Sequence, residues 1–515
     1  MNFQNIYRVF LAVAICAFSM STFAQSDKVD ITWGEEISIK DGYVRKLAGQ
    51  TNGHIYHLLR QKSTWYIQKK NMDLILTGKE KLDLKKGDKE LSMNDVVVFH
   101  DHYLLFASHY TRGEHGKHEL YLKLGDSNTL EPHSGAEKLS TTKDKYKVER
   151  IAFDHDISPD GSKLLVYYQT PYEDAQGEKI GLKVFDADMQ IIWEGEVDLP
   201  YTDPFYVTER VSVMNDGTAL VSGIRNRTEH NPGRYPYKYE LLLYKNAQEA
   251  PLVIEAEYND WFLRDMQIGV AKDGNIMCSG FYAKPNASLI CGAYYIKYDR
   301  NTGAVMHQSH KEFDEGFMAS YRFDKDENKG YTFENGAGNI MWTYILSDIT
   351  LRDDGSAVLI AEQYFTISYS ESSGNSTYTV TEYTYNDVFV VNMNSTGDID
   401  WVQKIPKRQF TRQGYLYSSY GFIIEQDKLY LIYNDNAKNL ELEEGKDPKN
   451  FDGKKSHRVV LCTIDPNGGL EREVLLSDDE AEVLIAPTAS IQIDDQWFIY
   501  GQEKKNYRFG RLDFK

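Results

Sequence analysis

The chain has 515 residues and a formal net charge of −19 at pH 7, a sign that disfavours nucleic-acid phosphates and anionic membrane surfaces as partners because the protein's own field repels both. Hydrophobic content of 41% is ample for a core, and 13% aromatic content with 37 Tyr favours strands over helices. The excess of acid fits a monomer kept in solution by its charge.

The N-terminus reads as an export signal. Arg8 precedes the apolar run Val9 to Met20, and Thr22-Phe23-Ala24 places small residues ahead of a cut before Gln25. Residues 1–24 are therefore expected to be removed, and the rest to reach the periplasm or the medium. No later stretch reaches about 18 uninterrupted apolar residues, so no transmembrane segment is expected. Loss of Cys16 leaves three cysteines. Cys278 and Cys291 flank Lys284-Pro285, the expected tip of a hairpin, a spacing that permits a disulfide and equally permits two buried thiols. Cys462, inside Val459 to Ile464, reads as core.

Asp30 to Ile39 reads as a strand with no sheet of its own. Repeating hairpin units follow: 51–84, 96–138, 157–197, 214–257, 271–311, 347–406 and 420–475, then an incomplete unit of three strands from Ala489 to Phe514. Several of the tight turns carry Asp-Gly or Asn-Gly, pairs that tolerate positive φ between apolar strands. Four antiparallel strands cannot bury both faces alone, so units of this kind stack radially. The expected fold is one all-β domain over 25–515, a β-propeller. Eight blades are favoured and seven are the alternative, the ring being closed by Asp30 to Ile39 pairing outside Tyr507 to Phe514.

Three additions interrupt the repeat. An insertion at about 313–343 separates blades five and six, a Ser/Thr/Tyr-rich loop is expected at 368–385, and a charged one at 438–455. Such additions gather on the faces of a propeller, where ligands are met.

Two likenesses attach to these hairpins. The segments Tyr298 to Val305 and Asn392 to Trp401 resemble the strand-turn-strand repeats of quinoprotein-type propellers, with Trp193 and Trp401 at the docking-tryptophan position. Ile157 to Leu165, with its Ser-Pro-Asp-Gly-Ser core, resembles repeats of periplasmic translocation-associated propellers. As a whole the chain looks most like uncharacterised exported bacterial β-propeller-repeat proteins, a resemblance that implies the fold and no activity.

The sequence holds no Gly-x-Ser-x-Gly elbow, His-Glu-x-x-His pair, phosphate-binding glycine loop or Cys-x-x-Cys. Asp160 and Gly161 are adjacent, unlike the Asp boxes of sialidase propellers, although two carboxylates at a suitable separation would suffice for another glycosidase. No cofactor is expected except calcium, for which Asp324, Asp326 and Asn328 supply alternating oxygens. The histidines at 100, 102, 109, 115 and 118 read as surface residues. Aromatic residues suited to a sugar ring or a protein hot spot are Tyr321, Phe323, Trp342, Tyr344, Tyr415 and Tyr417. The expectation is an exported binding propeller engaging a protein or glycan on one face. The alternative is a glycan-active hydrolase or lyase using acidic residues.

Overall fold

The computed structural model describes residues 26–515 apart from 112–115, 134, 144–150, 171–178, 200–205, 227–236, 285–289, 314–343, 374–375, 413–415, 444–445, 454–456, 478–479, 481 and 494–495. The signal segment, the insertion and the calcium candidates Asp324, Asp326 and Asn328 thus lie outside the described residues, as do Tyr321, Phe323, Trp342 and Tyr415.

The molecule is an all-β propeller. Seven blades each come from one continuous stretch of chain: blade 1 (43–81), blade 2 (92–143), blade 3 (153–198), blade 4 (206–256), blade 5 (262–312), blade 6 (344–411) and blade 7 (421–474). A further sheet is composite. Its strands Gln496–Glu503 and Asn506–Phe514 are joined on the outside by Val29–Trp33 and Ile37–Ser38 from the other end of the chain. The ladder runs from Val29 opposite Phe514 to Trp33 opposite Gly510. Instead of eight like repeats, the chain supplies seven contiguous blades and this two-ended sheet. The stretch expected as one strand at 30–39 is broken at 34–36 and ends in a short 3-10 turn, Ile39–Asp41.

Packing between sheets makes the ring. Blades 1 and 2 share Tyr56, Ile67, Val96 and Leu105; blades 4 and 5 share Leu220, Leu241, Ile276 and Ile296. Blade 7 meets the composite sheet through Ile432, Leu461, Trp497 and Leu512, and that sheet meets blade 1 through Ile55, Leu59, Tyr500 and Phe509. Each such aliphatic or aromatic residue contributes about 1.5–3 kcal/mol by leaving water. Outer strands are polar on the solvent side, as in Val305–Glu312, whose side chains are exposed or half-buried throughout.

Within a four-stranded meander, the first and third hairpin turns lie at one end and every other connection at the opposite end. The turn end is laced from blade to blade. Asn52 Nδ2 donates to Asp101 at 2.7 Å, His100 Nε2 meets the Gly161 carbonyl at 2.8 Å, the Asp160 amide donates to Asn215 at 3.2 Å, and Arg300 pairs with Asp216. Trp193 Nε1 donates to the Gly217 carbonyl at 2.8 Å, and Trp401 Nε1 to the Pro466 carbonyl at 2.9 Å, each docking its blade on the next. The additions of blades 6 and 7, at 364–385 and 438–455, join second to third strands and therefore belong to the other end, the connector face.

One of those additions is not a loop. Residues 364–373 and 376–385 continue the central hairpin of blade 6, whose strands are Ala357–Ser373 and Ser376–Met393, paired in register out to Ser373 opposite Ser376.

Candidate functional site

The first strands of neighbouring blades lie against one another, Tyr43–Thr51 against Ser92–Phe99 and Phe153–Ile157 against Tyr206–Val213. They are therefore the inner strands, and side chains that point away from the blade interfaces line the central channel. Lys46 Nζ of blade 1 donates to both carboxylate oxygens of Asp95 of blade 2 at 2.7 Å. Further round, Arg210 of blade 4 pairs with Asp348 of blade 6. That contact passes over blade 5, which only the hub of the ring allows. Gln267 of blade 5 donates to the same carboxylate at 3.2 Å.

This crowding bears on the charge of each group. Burial works against the Arg210 charge, but Asp348, Asp156 and Asp154 more than offset it and hold the guanidinium charged. Burial pushes Asp156 up to about 6; its Oδ2 accepts the Val213 amide at 2.9 Å, and Arg210 opposes the rise while Asp348 and Asp154 add to it. Asp265 of blade 5 is likewise pushed up to about 6 by burial, with Arg264 opposing and Glu209 adding. Glu209 is raised by burial as well. His155 is held below the usual histidine range by burial and by Lys46. Asp348 keeps 69% of its side-chain surface exposed, so the cluster is open to a ligand in the channel. It offers a cation, an ionisable set of carboxyls and an amide, with Asp156, Arg210 and Gln267 on inner strands and Asp265 and Asp348 in the short breaks between strands of blades 5 and 6.

None of these residues stood out in the sequence, yet a signal was there. Asp154, Arg210, Gln267 and Asp348 each lie six positions before the aspartate of their blade's Asp-Gly turn, at 160, 216, 273 and 354. Aligning the four repeats on those turns places all four side chains in one layer.

The residues singled out from sequence fare differently. Tyr344 is a core residue of blades 5 and 6, stacked on Phe389 with ring centroids 5.1 Å apart, and no ligand can reach its ring face. Tyr417 donates its hydroxyl to Gln502, and burial pushes it up to about 12. Tyr344 thus packs in the core, and Tyr417 is half-buried against the composite sheet. Cys278 and Cys291 are not joined. The register sets Cys278 opposite Ile296, while Cys291 accepts the Lys284 amide at 3.5 Å, so the symmetric spacing does not bring the sulfurs together. Cys462 is wholly buried, and burial pushes it up to about 12, as a core thiol requires. His100 and His109 meet backbone carbonyls, and His118 is buried against the Ile151 amide at 2.9 Å, where a surface position was expected. Among the described residues no group of three or more His, Cys, Asp or Glu is arranged to hold a metal ion, and no helix is long and apolar enough to cross a membrane.

No protein family matches the chain, and no curated protein matches it. Among solved structures it is similar to a prolyl endopeptidase, at 8% identity and a TM-score of 0.40 over 91% of this chain and 55% of that one. The chain thus spans about half of that enzyme's length. It is also similar to the β-propeller domain of the Trilobed protease from Pyrococcus furiosus, at 12% identity and a TM-score of 0.35 over 85% of this chain and 99% of that one. A protein of unknown function from Bacteroides caccae gives 10% identity and a TM-score of 0.28 over 70% of this chain and 92% of that one. None of these likenesses carries an argument about what the chain does.

Proposed function

We propose that the chain is an exported binding propeller, acting in the periplasm or outside the cell, that engages a protein or glycan ligand on the connector face over the mouth of the central channel. The observation that supports this reading is the Arg210–Asp348 pair, joined by Gln267 and Asp156, which brings recognition groups from four successive blades to one place. Such a set, gathered at the inner strands and open to solvent at Asp348, suits orientation of a polar ligand. Calcium, if it takes part, would be held by Asp324, Asp326 and Asn328. Titration calorimetry checks that: no binding heat at millimolar calcium ends it.

A second reading, a glycan-active hydrolase or lyase, is favoured by Asp156, which burial and the neighbouring Asp348 and Asp154 push up to about 6, so that it would hold a proton beside an ionised carboxylate in mildly acidic medium. A glycan and peptide array combined with a reducing-end release assay separates the two. Binding without turnover is expected, and release of sugar at a constant rate would overturn the binding role.

A further inference from the structure

The hairpin of blade 6 outruns the strands beside it. Tyr344–Leu346 covers Ala361 to Gln363 on one edge, and Gln409–Thr411 covers Tyr383 to Tyr385 on the other. Beyond them, residues 366–373 and 376–382 form a two-stranded ribbon that no third strand joins among the described residues. At about 3.3 Å per residue it projects roughly 25 Å from the connector face.

An open strand edge is a template for another strand, and proteins ordinarily guard one with lysine, proline or a bulge. This ribbon has none of the three. No Lys or Pro occurs from Thr366 to Glu382, and the pairing there runs without a register shift. One face presents Thr366, Ser368, Ser370 and Ser372 beside Thr377, Thr379, Thr381 and Tyr383, uncharged throughout, with Ser368 and Thr381 hydroxyls 2.9 Å apart. The two carboxylates of the stretch, Glu371 and Glu382, sit on the opposite face and are met by Arg412 at 3.3 and 2.8 Å.

Charge decides the occupant. With −19 on every chain, acidic surfaces of two copies repel, whereas the Ser/Thr face of the ribbon carries no charge and its two carboxylates share the Arg412 guanidinium on the other face, so copies meet there with little like charge opposed. The strand also pairs well with itself. Set antiparallel about Tyr369, it places Glu371 opposite Ile367 of the second copy and Ser368 opposite Ser370, with no carboxylate facing another.

We propose that the 366–382 ribbon is a homodimerisation element, one open edge of it pairing antiparallel with the same edge of a second copy. The protein is then a dimer in solution, in place of the monomer that net charge alone suggests. Sedimentation velocity on the purified chain from about 1 to about 100 µM tests this. The expected result is a mass of two chains at the upper end. Two paired variants follow, Ser368→Lys with Ser370→Lys and Thr377→Lys with Thr381→Lys, each of which sets lysines opposite one another if its edge is the one used. One of the two should weaken association about tenfold with unchanged circular dichroism. A single-chain mass throughout, or a dimer that both variants leave intact, overturns the proposal.

Discussion

Asp156 lies between two demands: burial favours its neutral form, and Arg210 its charged one. Its ordinary value is 3.8 and its folded value about 6, so between those pH values the folded chain binds more protons than the unfolded chain. The resulting contribution is fully present below about pH 4 and lost as pH rises through about 6. Asp156→Asn removes that dependence while keeping an acceptor for the Val213 amide. It should stabilise the chain by about 1–3 kcal/mol at pH 7 and by nearly nothing at pH 4, as read from urea unfolding at the two values. Equal effects at both would mean that Asp156 is not desolvated. Single residues of this kind were the least legible part of the sequence. Among 77 acidic residues, Asp348 carries no local pattern of its own, and only its distance from the turn, compared across blades, distinguishes it; Asp156, four positions before its turn, lacks even that signal. The aromatic residues had the opposite defect: Tyr344 has the right chemistry for a sugar, but it is spent on packing against Phe389.

At the scale of the element, strands and tight turns were readable because period-two apolar runs and Asp-Gly pairs report local conformation directly. The Ser/Thr/Tyr stretch was misread as a loop because Ser and Gly signal turns, whereas here β-favouring Thr and Tyr on both strands, with Ile367 on one and Val380 on the other, pair across from Tyr364 to Ser373. Arg412 ties this arm down, its Nη2 meeting the Tyr369 hydroxyl at 2.6 Å and its Nε donating to Glu382 at 2.9 Å. Arg412 keeps 48% of its side-chain surface exposed although Glu382 keeps only 10%, and all these contacts lie within the arm, so their loss concerns local order more than global stability. Arg412→Ala should speed amide exchange across 366–382 while shifting unfolding free energy by less than about 1 kcal/mol. Unchanged exchange in the arm would show that the ribbon needs no tether.

At the scale of the whole molecule, the incomplete last unit and the unpartnered N-terminal strand pointed to each other, and the ladder between Val29–Trp33 and Asn506–Phe514 joins them. Blade counting was less secure: the repeats favour eight like units over seven, and the chain supplies seven contiguous blades, the last sheet being drawn from both ends. Removing residues up to 38 would expose the outer edge of Asn506–Phe514 and uncover Trp497 and Leu512, which Val29 helps to bury. The truncated chain should melt several degrees lower and aggregate on heating, by calorimetry and light scattering. An unaltered melting temperature would mean that the ring holds without that seam.

The channel cluster is what turns this closed ring into a proposal about function, and calorimetric titration with the strongest hit of the glycan and peptide array tests it most directly. The wild-type chain is compared with Arg210→Ala and with Asp353→Ala, an exposed residue on the turn face. The account predicts binding at least about tenfold weaker in Arg210→Ala, roughly the 1.5–3 kcal/mol of a charged hydrogen bond, and unchanged binding in Asp353→Ala. Equal affinity in the wild type and in Arg210→Ala would contradict it.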